Sequence, residues 1–255
     1  MSIEESYLPT VTNVVSGVYR GRVVKDGYQR GWGLQYGNVR DYVLKDELYL
    51  HAVEQAKDLL ANFSEPNRMN IFLILKFFLP KIPIGNIIEF GSFKGGSAVF
   101  MGAVMAELMP DRKIYALDTF AGMPETDNRV DAHTAGDFYD TSVESVSESI
   151  SKAGLKNITL VKGLFEATTP SVLRNSGPIS LAHIDCDIRS ACNYARKIIR
   201  PNLVKGAYVV FDDATIASCI GATESVEQMI HETGVFSEQI WPHYVFRHAL
   251  SDTVI

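Results

Sequence analysis

From residue 86 onward the chain alternates between short, wholly apolar runs and longer segments with helical spacing. NIIEFG (86–91), KIYALD (113–118), ITLVKG (158–163), ISLAHID (179–185) and AYVVFDD (207–213) read as strands. SAVFMGAVMAELM (97–109), TSVESVSESISKAG (141–154), PSVLRNSG (170–177), ACNYARKIIRPNL (191–203) and GATESVEQMIHETG (221–234) read as helices, and two short β-like pieces follow around Trp241 and Pro242. Strands with no polar face, each followed by a helix, predict a parallel sheet covered on both sides. The expected fold is therefore α/β and Rossmann-like, with a mostly parallel seven-stranded sheet and helices on both faces.

Upstream the pattern changes. Residues 1–50 mix Tyr, Gly and charge without a clean period and read as an irregular extension. Helical spacing returns in DELYLHAVEQAKDLLANF (46–63), which places Leu48, Val53, Ala56, Leu59 and Leu60 near one face. Ser64 suits a helix cap, with Pro66 in the first turn. IFLILKFFLP (71–80) carries Lys76, stops at a proline and is too short to cross a bilayer, so it reads as a buried helix. Two domains are expected: an N-terminal extension over 1–64, serving as lid or as substrate or oligomer contacts, and the α/β domain over 65–255. Tyr28, Arg30, Trp32, Tyr36 and Arg40 of the extension are either contacts to a ligand or surface packing.

Composition narrows the setting. The 255 residues are 46% hydrophobic and 21% charged, ordinary for a globular protein, with a net charge of -6 that disfavours nucleic acid as a partner. Cys186, Cys192 and Cys219 form neither a disulfide framework nor a CxxC metal motif. MSIEESYLPT lacks the basic and apolar regions of a secretory signal. A reducing, cytoplasmic setting is expected, with a small-molecule substrate, no membrane or nucleic-acid partner, and self-association into a homo-oligomer.

In an open parallel sheet, ligands bind beyond the carboxyl ends of the strands. Glu89, Gly91, Asp118, Gly163, Asp185, Asp187, Asp212 and Asp213 all fall at such ends and should share one rim. EFGSFKGGS (89–97) joins the first strand to a helix whose free N–H groups point at the loop. Its spacing departs from GxGxxG and suits a ligand with an amino acid end rather than a pyrophosphate, with Glu89 as a partner for the ammonium. Asp118 ends the second strand, where a carboxylate accepts both ribose hydroxyls, and Phe120 is placed to pack on an adenine. Asp185 and the Asp212–Asp213 pair end neighbouring strands and would repel each other, which a hard divalent cation such as Mg²⁺ resolves. Asp187 is either a further ligand or a base. His183 reads as a core residue or a support beneath the metal, and His133 as a lid residue, exposed or touching substrate. Lys162 and Phe165 are placed at the pocket edge, and Cys186 in the packing.

EFGSFKGGS, ALDTFAGMPETD, HIDCD and VVFDD together resemble the TylF/NovP-type (macrocin O-methyltransferase-like) enzymes over roughly residues 85–248. These are metal-dependent, S-adenosylmethionine-dependent sugar O-methyltransferases. The resemblance implies the class I methyltransferase fold and methylation of a hydroxyl on a sugar or glycosylated natural product. It implies that Glu89 and Gly91–Ser97, with Ser92 and Phe93, hold the methionine part of the cofactor. Asp118, Thr119 and Phe120 would hold its nucleoside, beside Gly163 and Asp185. Asp185, Asp212 and Asp213 become metal ligands, Asp187 the catalytic base, and Gly122–Asp140 a mobile loop over the site. A catechol or phenol methyltransferase of the same fold is the alternative, since vicinal phenols chelate Mg²⁺ in the same way. A cofactor-binding protein without catalysis is the third reading. The acceptor itself is not written in these motifs.

Overall fold

The computed structural model describes residues 38–248, together with the strands β1 (Val18–Tyr19) and β2 (Arg22–Val23). The candidates Tyr28, Arg30, Trp32 and Tyr36 lie outside the described residues. The chain divides into two compact units, 1–50 and 51–255. In the first, β1 pairs antiparallel with β2, and α1 (Asn38–Val43) leads to the start of α2 (Glu47–Ala56).

The second unit holds the sheet. After α2 the predicted helix tightens into a 3₁₀ turn, Lys57–Asn62. Ser64 then caps α3 (Glu65–Leu73): its Oγ accepts the Asn67 N–H at 3.3 Å, and Pro66 sits in the first turn. The apolar run beyond α3 continues as a π-helical turn (Ile74–Phe78) and a 3₁₀ turn (Leu79–Lys81), burying Ile71, Phe72, Ile74, Leu75 and Leu79. No helix among the described residues is long and apolar enough to cross a membrane.

The strands are β3 (Asn86–Phe90), β4 (Ile114–Asp118), β5 (Ile158–Lys162), β6 (Ile179–Ile184), β7 (Leu203–Phe211) and β8 (Tyr244–Arg247). Their order is β5-β4-β3-β6-β7-β8, parallel except for β8 against β7. The intervening helices are α4 (Gly96–Leu108), α5 (Val143–Lys152), α6 (Phe165–Ser176), α7 (Arg189–Ile198) and α8 (Ile220–Thr233). Six strands form the sheet, against the seven expected. Of the two β-like pieces near Pro242, only the second is a strand; the first is reduced to one bridge between Gln239 and Val245. Pro242 has no N–H to extend a ladder. Helix α6 begins at Phe165, five residues before the predicted start, because Pro170 falls inside the helix rather than opening it.

All six residues of β6 are buried, as are the last six of β7, and α4 is buried along its first ten residues. A helix apolar all round packs where no face meets water. From β3 the chain builds outward through β4 and β5, then crosses back to β6 on the other side of β3, so the switch point of the sheet lies between β3 and β6.

Candidate active site at the switch point

The parallel ladder runs one residue past each strand. Gly163 N–H donates to Asp118 O, Gly91 N–H to Leu117 O, Asp185 N–H to Phe90 O, and Asp212 N–H to Ile184 O, each at 2.9 Å. These bonds set the predicted residues in one registered row along the rim. They border a cavity of about 420 Å³. Gly91, Ser92, Phe93, Ser97, Asp118, Thr119, Asp185, Asp187, Asp212 and Asp213 line it, with Phe165 at its edge. Glu89, Phe120, Gly163 and Lys162 do not; Glu89 is fully buried beneath the rim, Phe120 is packed inside at 3% exposure, and Lys162 is exposed.

On the glycine-loop side, Asp118 organises the backbone. Its Oδ2 accepts the Ser92 and Phe93 N–H groups at 2.9 and 2.8 Å, and its Oδ1 accepts the Phe120 N–H at 2.7 Å. Gly91 has φ +89°, and a Cβ there would stand 1.7 Å from the Asp185 carbonyl oxygen, so only glycine fits where β3 and β6 end side by side. A Cβ on Gly96 would lie 2.4 Å from the Leu59 carbonyl oxygen, which brings the 3₁₀ turn against the loop.

Beneath the rim runs a buried polar chain on one face of the sheet. Glu89 and His183 are register partners on β3 and β6. Ser92 Oγ donates to Glu89 Oε2 at 2.6 Å, and Glu89 Oε1 lies 3.1 Å from His183 Nδ1. His183 Nε2 meets Asp212 Oδ1 at 3.1 Å. That oxygen also receives His243 Nδ1 at 3.0 Å, while Asn67 Nδ2 donates to Asp212 Oδ2 at 2.8 Å. His243 Nε2 faces Asn70 Nδ2 at 2.7 Å and so accepts, which leaves its Nδ1–H for Asp212.

This pattern sets the charges. Burial disfavours the His183 cation, but its bonds to Asp212 and Glu89 outweigh burial and push its pKa up to about 10. His243 is held neutral by burial. Burial would raise Asp212, yet the two histidines bring it below the usual carboxylate range. Asp185 and Asp213 go the other way. Burial raises both well above that range; for Asp185 the Asp213 and Asp212 carboxylates add to it, and for Asp213 those of Asp187 and Asp212.

Asp187 sits past the end of β6 with φ +57°, a left-handed conformation uncommon outside glycine. Its N–H donates to Asp213 Oδ2 at 3.0 Å. Strand alternation therefore stops before Asp187, and a turn, not the pleat, aims it into the cavity. Burial raises its pKa, while the Cys219 thiol, donating to Oδ1 at 3.2 Å, and His133 oppose the rise. His183, weighed as core or support, is both: fully buried and bonded to a rim carboxylate. His133 lines the cavity with its side chain 19% exposed. Cys186 packs against Cys192, Sγ to Sγ 3.6 Å.

The segment between β4 and α5 folds back on itself, with Met123 N–H on Asp137 O (2.7 Å) and Gly136 N–H on Met123 O (3.0 Å). Asp131 Oδ1 accepts the Arg189 N–H at 2.9 Å, and Thr141 Oγ1 donates to Phe93 O at 2.7 Å. Sequence reasoning missed Asn67, His243 and Cys219. None sits in a motif; each reaches the site from a distant segment.

Residues 74–236 match the macrocin-O-methyltransferase (TylF) family. The chain belongs to that family. Among curated proteins it is 27% identical over 179 residues to the 8-demethyl-8-(2,3-dimethoxy-alpha-L-rhamnosyl)-tetracenomycin-C 4'-O-methyltransferase of Streptomyces olivaceus, covering 62% of this chain and 66% of that protein. It is 23% identical over 139 residues to the demethyldecarbamoylnovobiocin O-methyltransferase of Streptomyces niveus, covering 51% of this chain and 52% of that protein. Among solved structures the O-methyltransferase NovP superposes with a TM-score of 0.65 at 17% identity, covering 78% of this chain and 97% of that one. The calicheamicin methyltransferase CalS11 gives 0.63 at 19%, covering 83% and 90%. These structures share the TylF-family chain's Rossmann-like α/β fold, and the β6 and β7 exits that carry its four aspartates fall within the matched residues.

Proposed function

We propose that this protein transfers the methyl group of S-adenosylmethionine to a hydroxyl of a sugar or glycosylated natural product, with Mg²⁺ bound by Asp185, Asp212 and Asp213. One observation carries the reading: four carboxylates from two strand ends meet at the cavity beside a glycine loop held by Asp118. The donor set fits the ion. It is all oxygen; burial first, and then the charge of neighbouring carboxylates, raises Asp185 and Asp213, and a hard dication would relieve that cost. The cofactor fits the opposite half, where the Gly91–Ser97 loop, Asp118 and Thr119 line the same cavity. Glu89 acts there through Ser92, which it orients from below. When bound, the metal lowers the pKa of a coordinated hydroxyl.

The chain's residues do the rest. Asp187 is the proposed general base: it would take the proton of the acceptor hydroxyl as that oxygen received the methyl group, with S-adenosylhomocysteine as the leaving group. Burial brings Asp187 closer to neutrality, which strengthens it as a proton acceptor at working pH. The bond from its N–H to Asp213 fixes the base relative to the ligands, and positioning supplies part of the rate. The three donors on Asp212 hold that carboxylate ionised and aimed. Leu59, Asn62, Phe63 and Ser64, which line the cavity, border its acceptor side.

The relatives named for a rhamnosyl-tetracenomycin and a novobiocin precursor favour a glycosylated acceptor. The test is an acceptor screen with S-adenosylmethionine and Mg²⁺, with and without EDTA. Methyl transfer to glycosides that EDTA abolishes is the expected result. Turnover confined to catechols would reassign the acceptor, and cofactor binding with no transfer to any acceptor would remove the catalytic reading.

A further inference from the structure

The oxygen-rich rim accounts for three of its four aspartates as ligands, but a second cluster beside it has different chemistry. Cys219 Sγ lies 3.2 Å from Asp187 Oδ1 and 3.7 Å from His133 Nε2, and His133 Nε2 lies 3.7 Å from Asp187 Oδ1. The three donors come from three separate segments: the connection between β4 and α5, the exit of β6, and the residue that precedes α8. We infer that His133, Asp187 and Cys219 form a second metal site, selective for a thiophilic dication such as Zn²⁺ and separate from the all-carboxylate site.

Geometry supports it first. A tetrahedral zinc ion with bonds of about 2.0–2.3 Å sets its ligand atoms roughly 3.3–3.6 Å apart. The observed separations of 3.2, 3.7 and 3.7 Å need only tenths of an ångström of adjustment. The imidazole is also prepared. His133 Nδ1 lies 3.2 Å from Asp137 Oδ2, and Asp137 is itself held by the Thr134 N–H and hydroxyl at 3.0 and 3.2 Å. A carboxylate on one ring nitrogen places the proton there and leaves the lone pair of Nε2 toward the site, the arrangement found behind zinc-bound histidines. His133, Asp187 and Cys219 all line the cavity, so a fourth coordination position opens into it.

Ligand softness separates the two sites. Thiolate and imidazole select zinc or cobalt, whereas carboxylates alone suit Mg²⁺. Burial and the Asp213 and Asp187 carboxylates push the Cys219 thiol up, so without a metal it keeps its proton and donates to Asp187. A bound dication deprotonates a coordinating thiol outright, so binding releases one proton to solvent. The ion would also tie the connection that carries His133 to the residue preceding α8. Its binding stands independently of the methyl-transfer reading; only the consequence that it inhibits, by occupying Asp187, rests on that reading.

The test uses the metal-stripped full chain and Co²⁺ as the probe, followed by displacement with Zn²⁺. Neither cofactor nor acceptor is present, so failure of the site and failure of the methyl-transfer reading are distinguishable. One Co²⁺ per chain with a near-ultraviolet thiolate-to-cobalt absorption band is expected. The band should vanish in Cys219→Ala and persist in Cys186→Ala. Asp137→Asn should weaken Zn²⁺ roughly 10–100-fold. Should Cys219→Ala fail to fold, His133→Ala, on a surface connection, gives the second measure and should lose more than Asp137→Asn. Metal binding without the band, a band that survives Cys219→Ala, or wild-type Zn²⁺ affinity in His133→Ala would each overturn the site.

Discussion

The two halves of the rim solve opposite problems. On the glycine-loop side a single carboxylate, Asp118, is matched by three backbone N–H groups, from Ser92, Phe93 and Phe120, and little is left unbalanced. On the other side four carboxylates converge. Asp212 alone is neutralised, by His183, His243 and Asn67, while Asp185 and Asp213 stay raised, first by burial and then by neighbouring carboxylates: Asp213 and Asp212 for Asp185, Asp187 and Asp212 for Asp213. The comparison teaches that adjacency in sequence does not decide ionisation. Asp212 and Asp213 are neighbours, yet alternation sends one down onto a buried histidine and the other across to the Asp187 backbone. One half is balanced by the protein's own donors; the other carries carboxylates that the proposed cation would balance.

The sharpest way to break this contrast is to exchange roles among the aspartates. Asp187→Asn should lose turnover by roughly 10²–10⁴-fold, as removal of a general base does, with Mg²⁺ affinity nearly intact and no rescue by excess metal. Asp212→Asn should weaken Mg²⁺ and recover in part at high Mg²⁺, because an amide is a neutral and poorer ligand. Mg²⁺ titrations of methyl transfer for both variants decide it: rescue of Asp187→Asn and not of Asp212→Asn would reverse the assignment.

A smaller effect probes the balanced half. Asp118→Ala orphans the Ser92 and Phe93 N–H groups and would remove the proposed ribose acceptor, so cofactor binding should weaken by about 1–3 kcal/mol. Calorimetry with S-adenosylhomocysteine reads it, and wild-type affinity would take Asp118 out of the site.

The smallest effect is on stability. Because Asp185 and Asp213 bind protons more tightly folded than unfolded, their contribution falls as pH rises from the ordinary carboxylate value, about 3.9, through their raised folded values. Asp212 works in reverse: its contribution is present above the ordinary value and is lost as pH falls through its depressed one. Metal-free protein should therefore lose thermal stability from mildly acidic to neutral pH, by a few degrees per kcal/mol for a chain of this size. Mg²⁺ should flatten that slope, and Asp213→Asn should reduce it without metal. A metal-free melting profile that rises toward neutrality would contradict the picture of frustrated carboxylates.

Much of this was legible in the sequence. Strands β3 to β7 and the rim residues at their ends follow from apolar runs, which are clearest in β6 and the end of β7, where burial on both faces leaves no polar alternation; the edge strand β5 is only partly buried. The Ser64 cap and the glycine loop are local signals and were readable as such. What could not be read is long-range. Nothing near Asn67 or His243 says that they converge on Asp212, 145 and 31 residues away. The left-handed turn at Asp187 depends on the Asp213 side chain receiving its N–H, a tertiary bond that overrides strand geometry. Glu89 shows the same limit: its position at a strand end suggested a ligand contact, whereas its pairing with His183 holds it beneath the surface.

The glycine at position 91 makes the loop hard to transplant. Because the Asp185 carbonyl occupies the space where any side chain at that position would stand, the turn after β3 is shaped by the exit of a strand 94 residues later in the chain (Gly91 to Asp185). Grafted alone onto another α/β sheet, EFGSFKGGS would meet a different neighbour and relax. A designer who wants this cradle has to move it together with the end of β6, and in doing so carries the first carboxylate along.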